Sequence, residues 1–374
     1  MKTWFWTIVL IVAGYVAYRL WFAPAGEPEP GAEVPVLEVE APASVEEEKA
    51  SAPESPPATT RPRIDLDVGG APSAPPRVPD SESARMGAEW RAALGRGDLE
   101  AANQLAERIL AEAPGSDAAR WVHYERGREA LERYAATGKN VEGLKHAREA
   151  WLELTPVLFA RDLAPAERQE LRLRLRQLAQ DLLFTRHVDG VDRAYVPKRG
   201  DSLSVLCQKV FPEWGTRASA GFLVDVNHLG AATNLRANEP IRVPLGEPEI
   251  VIVKHEFRLY FLFGGGFVRD FPVGLGREGS TPEGTFVIQE KIKNPDWNPR
   301  AGVIIPYGDP RNILGTRWMA FKETADYRGF GIHGTTDPAS IGKEASSGCV
   351  RMSKADVEQL FEWTPRGTKV TILR

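Results

Sequence analysis

The hydrophobic pattern of this chain changes period several times along its length, and that succession excludes a single folded domain. Residues 3–22, from Thr3-Trp-Phe-Trp to Leu20-Trp-Phe22, are mostly apolar and long enough for a helix to cross a bilayer. Aromatic residues cluster near both ends of this stretch and Arg19 can reach the far headgroups, so residues 1–22 are predicted to form a transmembrane anchor. Ala23-Pro-Ala25 offers small residues for signal-peptide cleavage, but its central proline and the nearby Arg19 favour an uncleaved anchor. Residues 23–83 are rich in Pro, Ala and Glu, include the acidic run Glu46–Glu48, and sustain no apolar period, which predicts a disordered linker with extended reach. Over residues 84–186 apolar side chains recur at three- and four-residue spacing, as an α-helical module requires. Residues 193–246 read as strand, turn, helix, helix, strand, a small α+β module in which Gly200 and Asp201 turn the chain into a helix carrying Leu203, Leu206 and Cys207 on its apolar face. From 250 to 374, short runs of Val, Ile, Phe and Tyr are separated by Gly, Pro and Asn, predicting a mainly-β module with one helix over Lys354–Glu362. The expected fold class is therefore multidomain.

The net charge of −4 over 374 residues gives no electrostatic case for a nucleic-acid partner. Only Cys207 and Cys349 occur, in different predicted modules, so no disulfide framework is expected and Cys349 is read as a free thiol. The histidines at 123, 146, 187, 228, 255 and 333 never fall at paired metal-ligand spacing, and neither a metal nor a cofactor is expected. Gly274-Leu-Gly-Arg-Glu-Gly279 matches a dinucleotide fingerprint by letter, but Ser280-Thr-Pro-Glu-Gly284 follows where a helix would have to begin. It is read as a loop between strands.

The segment that carries chemistry runs from His333-Gly334 to Ser346-Ser347-Gly348-Cys349-Val350-Arg351. A thiol becomes a useful nucleophile when a nearby base takes its proton, and His333 is the candidate base for Cys349. Gly348 removes side-chain bulk beside the sulfur, letting a substrate carbonyl approach both the thiol and the backbone N–H groups that would hold an oxyanion. The same residues also fit a buried thiol beside a structural imidazole, because free cysteine is among the most buried residue types.

His333-Gly334, Ser346, Gly348-Cys349 and Arg351 closely resemble the signature of the L,D-transpeptidase catalytic domain, the YkuD family. The resemblance extends over about 125 residues through Ile250–Val253, Leu259–Val268, Phe271–Gly274, Thr281–Phe286, Asn294–Trp297, Leu314–Met319 and Gly367–Leu373. Many members have a second histidine two residues before the cysteine, where this chain has Ser347, a difference read as tuning the substrate rim. The resemblance implies that Cys349 attacks a peptidoglycan stem tetrapeptide at its third residue, releases D-alanine and forms a thioester. It further implies that His333, oriented by the Gly334 carbonyl, deprotonates the thiol and then the acceptor amine of a second stem, giving a 3-3 cross-link. Ser346 and Ser347 are expected to contact substrate, and Arg351 either pairs with a substrate carboxylate or forms a salt bridge that fixes the loop. The same thioester permits water or a protein amine as acceptor, making the enzyme an L,D-carboxypeptidase or an agent of protein-to-wall attachment. A different class, a catalytically silent wall-binding scaffold, would leave the thiol without a task.

Residues 193–246 resemble a LysM domain, on Tyr195–Leu203, Leu223–Asn227 and Leu235–Pro244. That resemblance implies glycan contacts from Gly200, Asp201, Ser202, Leu203 and Asn227, with Cys207 in the core. Gly97–Pro114 and Gly138–Pro156 loosely resemble tetratricopeptide helices, which implies either a protein partner at the helical module or a spacer packed on its own core. Together these readings place the protein in a bacterial cell envelope. It would be anchored in the inner or cytoplasmic membrane, with peptidoglycan stems and glycan strands as partners and the catalytic domain facing the periplasm or wall.

Overall fold

The structure, a computed structural model, describes residues 80–374 except 161, 162, 186, 187, 189 and 301. The predicted anchor 1–22 and the linker up to residue 79 lie outside the described residues. No helix among the described residues is long and apolar enough to cross a membrane. Helix α1 begins at Asp80, so the last residues assigned to the linker, 80–83, are helical.

Among the described residues five helices come first: α1 (Asp80–Gly95), α2 (Leu99–Glu112), α3 (Asp117–Thr137), α4 (Val141–Val157) and α5 (Pro165–Leu183). The starts of α2, α3 and α4 are set by side chains that take up otherwise unpaired backbone N–H groups. Asp98 accepts from Ala101 N at 3.1 Å, Ser116 from Ala119 N at 3.1 Å and Asn140 from Gly143 N at 2.8 Å. Gly138, at φ 75°, ends α3. Helix α4 continues through Pro156 by one residue instead of stopping there, since a proline this close to the end disrupts only the final turn.

A strand–helix–helix–strand unit follows, with β1 (Asp192–Tyr195) antiparallel to β2 (Ile241–Pro244) and α6 (Leu203–Lys209) and α7 (Ala220–Val226) between them. The remaining strands are β3 (Pro248–Val253), β4 (Arg258–Phe263), β5 (Gly266–Pro272), β6 (Leu275–Gly276), β7 (Gly284–Lys293), β8 (Trp297–Arg300), β9 (Val303–Ile305), β10 (Arg317–Phe321), β11 (Gly331–His333), β12 (Glu344–Ser346), β13 (Val350–Arg351) and β14 (Lys369–Leu373). Eight of them form one sheet in the order β13-β11-β10-β7-β14-β3-β4-β5. Helix α8 (Lys354–Trp363) buries Val357, Leu360, Phe361 and Trp363. The chain from 247 onward is thus mainly β, as its short β-branched and aromatic runs predict.

The parts are not separate beads. One hydrophobic core runs from Ala130 in α3 through the β1–β2 unit to Ile372 in β14, while Met86, Trp90, Ile109 and Val122 belong to a second, smaller core. Strand β5 is a sheet edge whose backbone groups need partners. Helix α4 supplies them: the Trp151 indole N–H donates to Phe267 O at 2.5 Å, and Thr155 Oγ1 accepts from Phe267 N at 2.9 Å. Gly266 is required here, because a Cβ at that position would lie 2.2 Å from the Trp151 ring. Buried Asp270 on β5 receives Arg176 from α5 and Arg258 from β4, each at 2.6 Å. On the other side α7 packs on α8, where Phe222 meets Trp363 and Phe263, and the Trp363 indole donates to Asp225 at 2.6 Å.

Candidate active site

The site forms at β13 and β11, the opposite end of the sheet from the covered β5 edge. These two short strands run parallel, with His333 opposite Arg351 and Ile332 opposite Val350. Side chains two residues apart on a strand share a face. Cys349 immediately precedes β13, two residues before Arg351, which the register sets opposite His333. The sequence motif is therefore brought together by parallel pairing of two strands sixteen residues apart.

His333 is buried, and its Nδ1 lies 2.5 Å from the Gly334 carbonyl. A carbonyl only accepts, so this bond assigns the proton to Nδ1 and leaves Nε2 as the basic nitrogen. Trp318, opposite His333 on β10, packs its ring 5.8 Å from the imidazole. Burial pushes the imidazole down to about 4, with the positive charge of Arg351 adding to the effect and the Gly334 and Leu314 carbonyls opposing it. The Cys349 thiol rests against the Gly329 carbonyl at 3.5 Å. Burial raises its pKa, opposed by a hydrogen bond from the Gly331 backbone and by Arg351. Both groups are thus held neutral at rest: a thiol beside a basic imidazole.

The cysteine loop is fixed from within. Ser346 Oγ donates to Cys349 O at 2.7 Å and accepts from Gly348 N at 3.1 Å. Ser346 is buried and its hydroxyl is engaged in holding the loop, which differs from the substrate contact expected of it. Gly348 N–H is likewise occupied, so the glycine acts through space and conformation. Its φ is 129°, and a Cβ there would lie 2.3 Å from the Phe330 ring and 3.0 Å from Ser280 O. Cys349 N–H has no partner among the described hydrogen bonds and is available to an oxyanion. Ser347 is exposed at the rim.

Arg351 makes no ion pair among the described residues, and its Nε is buried without a partner. The loop-fixing salt bridge is absent there, leaving a cation at the position opposite His333. Sequence reasoning missed several supports of this site. Gly274 bridges Arg351 through both backbone groups, and β6 pairs with β12, so the segment set aside as a loop forms a wall of the cysteine site. Phe330 and Trp318 were not singled out either. Only the glycines they press on, Gly348 and Gly331, could have marked them.

The residues expected to contact glycan lie elsewhere, in the β1–β2 unit, and most are internally engaged. Leu203 is buried. Asp201 accepts from Tyr195 OH and Lys198 N, and Ser202 caps α6. Asn227 uses its side-chain amide on Leu223 O, Arg242 O and Arg242 N, tying α7 to β2. Gly200 and Ser202 remain exposed. Cys207, pushed up to about 12 by burial, is a packing residue.

A thiol and a general base on adjacent strands, with a free backbone donor at the nucleophile, define a cysteine-dependent acyltransferase. Comparison with known proteins agrees: the family model of the L,D-transpeptidase catalytic domain, YkuD, matches residues 247–372. The putative L,D-transpeptidase YqjB of Bacillus subtilis is 36% identical over 129 residues, a match covering 34% of this chain and 72% of that protein. The putative L,D-transpeptidase YkuD of the same organism is 29% identical over 188 residues, covering 48% and 98%. The chain spans less than half, 43%, of the probable L,D-transpeptidase YcfS of Escherichia coli, at 33% identity. Among solved structures, the catalytic domain of an Enterococcus faecium L,D-transpeptidase aligns over 34% of this chain and 98% of its own, with 19% identity and a TM-score of 0.28. This chain belongs to the YkuD family of L,D-transpeptidases, transferases that act through a cysteine.

Proposed function

We propose that this protein cross-links peptidoglycan stems through their third residues. Cys349 passes its proton to His333 Nε2 and attacks the carbonyl of the third residue of a stem tetrapeptide; the C–S bond forms as the bond to the terminal D-alanine breaks. Cys349 N–H receives the oxyanion, and the leaving amine takes the proton from the imidazole. A second stem's amine then displaces the thioester. Unpaired Arg351 supplies a cation for a stem carboxylate. The observation that carries this reading is the His333–Gly334 bond, which fixes the tautomer a general base needs beside Cys349.

The strand–helix–helix–strand order of the β1–β2 unit supports a LysM-like glycan contact. Because Asp201 and Asn227 are internally tied, that contact would fall on Gly200, Ser202 and backbone groups. The catalysis needs wall substrate, so an anchor at 1–22 would place residues 80–374 on the periplasmic or wall side. A protein partner would meet α1–α3, since α4 and α5 are engaged by the catalytic sheet.

The test is to incubate the full-length protein and its Cys349→Ala variant with disaccharide-tetrapeptide and identify products by mass spectrometry. A cross-linked dimer lacking one D-alanine, absent with the variant, is expected. Tripeptide alone would replace this reading with a carboxypeptidase, and unchanged substrate would favour a protein acceptor or a scaffold.

A further inference from the structure

The bond from His333 Nδ1 to the Gly334 carbonyl fixes one atom of the imidazole, and the plane of the ring depends on what packs against it. Rotation about the bond to an imidazole has broad, roughly two-fold wells, so one hydrogen bond does not confine the ring. The register sets Ile292, Trp318, His333 and Arg351 in one row across β7, β10, β11 and β13. Gly334 N donates to Arg317 O at 3.2 Å beside the Trp318–His333 pair, which makes that pair the non-hydrogen-bonded kind, whose side chains approach most closely. Helix α8 packs on the other face of these strands, where Phe361 lies against Arg317 and Lys291. Shelter for the imidazole therefore has to come from the strands and loops themselves.

Trp318 supplies that shelter. Its ring lies 5.8 Å from the imidazole at 43° and is the one aromatic ring packed on His333 among the described residues. The indole also covers Gly331, which shares a face of β11 with His333. A Cβ at Gly331 would come 2.8 Å from the indole edge, so the missing side chain lets the ring extend along the strand. The Cys349 thiol is hydrogen-bonded with the backbone of this same Gly331. One ring thus spans the base and the peptide unit on which the nucleophile rests. The charged and titratable groups that face the imidazole are Arg351 and Cys349, both from the β13 side, while β10 and β7 present Trp318 and Ile292.

We propose that Trp318 is a positioning residue for the general base: its indole confines the His333 ring to the orientation with Nδ1 on the Gly334 carbonyl and Nε2 free to serve Cys349, and it keeps water off the imidazole. The inference rests on the cysteine-transferase reading. In the first half-reaction Nε2 takes the proton from Cys349 Sγ as the C–S bond forms and gives it to the leaving amine. In the second it takes a proton from the acceptor amine as the C–N bond forms and returns it to Sγ as the C–S bond breaks. Each transfer needs the ring in one place, and a misplacement of about 1 Å costs about a hundredfold in rate. Water admitted beside the imidazole would also favour its charged form, which cannot accept a proton. Trp318 acts in both half-reactions through His333.

The experiment compares the full-length protein with Trp318→Leu and Trp318→Phe, each checked for folding by urea titration. Nitrogen NMR of labelled histidines, with His333 assigned by its absence from His333→Gln, reads the tautomer and the titration of the base without any reaction. The wild type should show one tautomer, protonated on Nδ1, that titrates near pH 4. Trp318→Leu should show a mixture of tautomers and titrate at about pH 5 or above. Its acylation by a carbapenem at pH 7, read by intact mass, should slow about tenfold, while alkylation by iodoacetamide, which needs no base, stays within about threefold. Trp318→Phe keeps a ring in place and should recover acylation to within about threefold of the wild type. A residue that serves only the fold would lower the urea midpoint and leave tautomer, titration and alkylation-normalised acylation unmoved. That result in folded Trp318→Leu, or a Trp318→Phe protein as impaired as Trp318→Leu, overturns the positioning role alone. A folded wild type that never acylates overturns the transferase reading, and the histidine spectra of the three proteins then still decide whether Trp318 orients the ring.

Discussion

The resting state of the Cys349–His333 pair is open to direct measurement, because a neutral pair and a thiolate–imidazolium pair respond oppositely to pH. Burial raises the thiol and lowers the imidazole to about 4, so at neutral pH the structure holds thiol and imidazole both uncharged. Iodoacetamide is uncharged and reacts with the thiolate. A thiol titrating above the experimental range gains thiolate tenfold per pH unit, so alkylation should accelerate about a hundredfold from pH 6 to pH 8. Acylation by a carbapenem, which uses the imidazole as base, should instead stay nearly flat down to about pH 5. With the imidazole at about 4, roughly nine-tenths is still basic at pH 5; at the ordinary value of 6.5 about 3% would be, a difference of about thirtyfold. Arg351 opposes the rise of the thiol and assists the fall of the imidazole, so Arg351→Met should slow alkylation at each pH and move the acid limb of acylation upward. Intact mass spectrometry with timed quenching gives both rates, and Cys207, pushed up to about 12, should remain unlabelled in the folded protein. Alkylation that does not change between pH 6 and 8, or an acylation limb near 6.5 in the wild type, would refute the neutral pair.

Gly348→Ala should lose acylation while the thiol remains present, because it places a Cβ against Phe330 and Ser280 and demands a left-handed conformation from alanine; a stability loss of about 2–4 kcal/mol in urea titration is expected from strain plus overpacking. Trp151→Ala should destabilise the catalytic sheet by about 3–5 kcal/mol, since it empties buried volume and strips Phe267 O of its donor; separate unfolding of helices and sheet, with the sheet midpoint unchanged, would contradict the shared core. Buried His333 should also make the fold acid-sensitive. Its folded pKa of about 4 lies below the unfolded 6.5, so the unfolded chain binds more protons between these values; its contribution is complete above 6.5 and declines as pH falls toward 4. At pH 5 this amounts to about 2 kcal/mol, and His333→Gln should lose less stability than the wild type between pH 7 and pH 5.

The thiol, the base and the carbonyl that orients it could be read from sequence because they sit in one short segment and because acyl transfer needs those groups whatever the fold. The β-rich character of the last third was equally legible in its runs of Val, Ile, Phe and Tyr. What sequence concealed was contact between distant parts. Nothing local to Trp151 marks it as the donor to Phe267, 116 residues away, and nothing local to Asn227 shows that its amide is taken by Arg242. Gly274–Gly279 was legible as something other than a nucleotide loop, but its role as a wall of the cysteine site depends on pairing with β12, which no local pattern announces. Ser346 was expected to contact substrate because it matches the Ser-x-Gly-Cys signature that the segment resembles. Only the geometry shows its hydroxyl bridging Gly348 and Cys349.

The contacts between helices and sheet also limit how the enzyme can work. Asp270 is buried on β5 and its charge is balanced by Arg176 from α5 and Arg258 from β4. Sliding α5 along the sheet would take Arg176 away from that buried carboxylate and leave it Arg258 alone, a loss that a surface carboxylate would tolerate more easily. Helix α7 is tied to α8 in the same manner by the Trp363–Asp225 bond and the Ser219 hydroxyl on Glu362 O. The β1–β2 unit therefore holds a fixed position relative to the β11–β13 site. If that unit grips glycan, the geometry from sugar to Cys349 is set by the fold, and stems at only certain positions along a bound strand can reach the thiol.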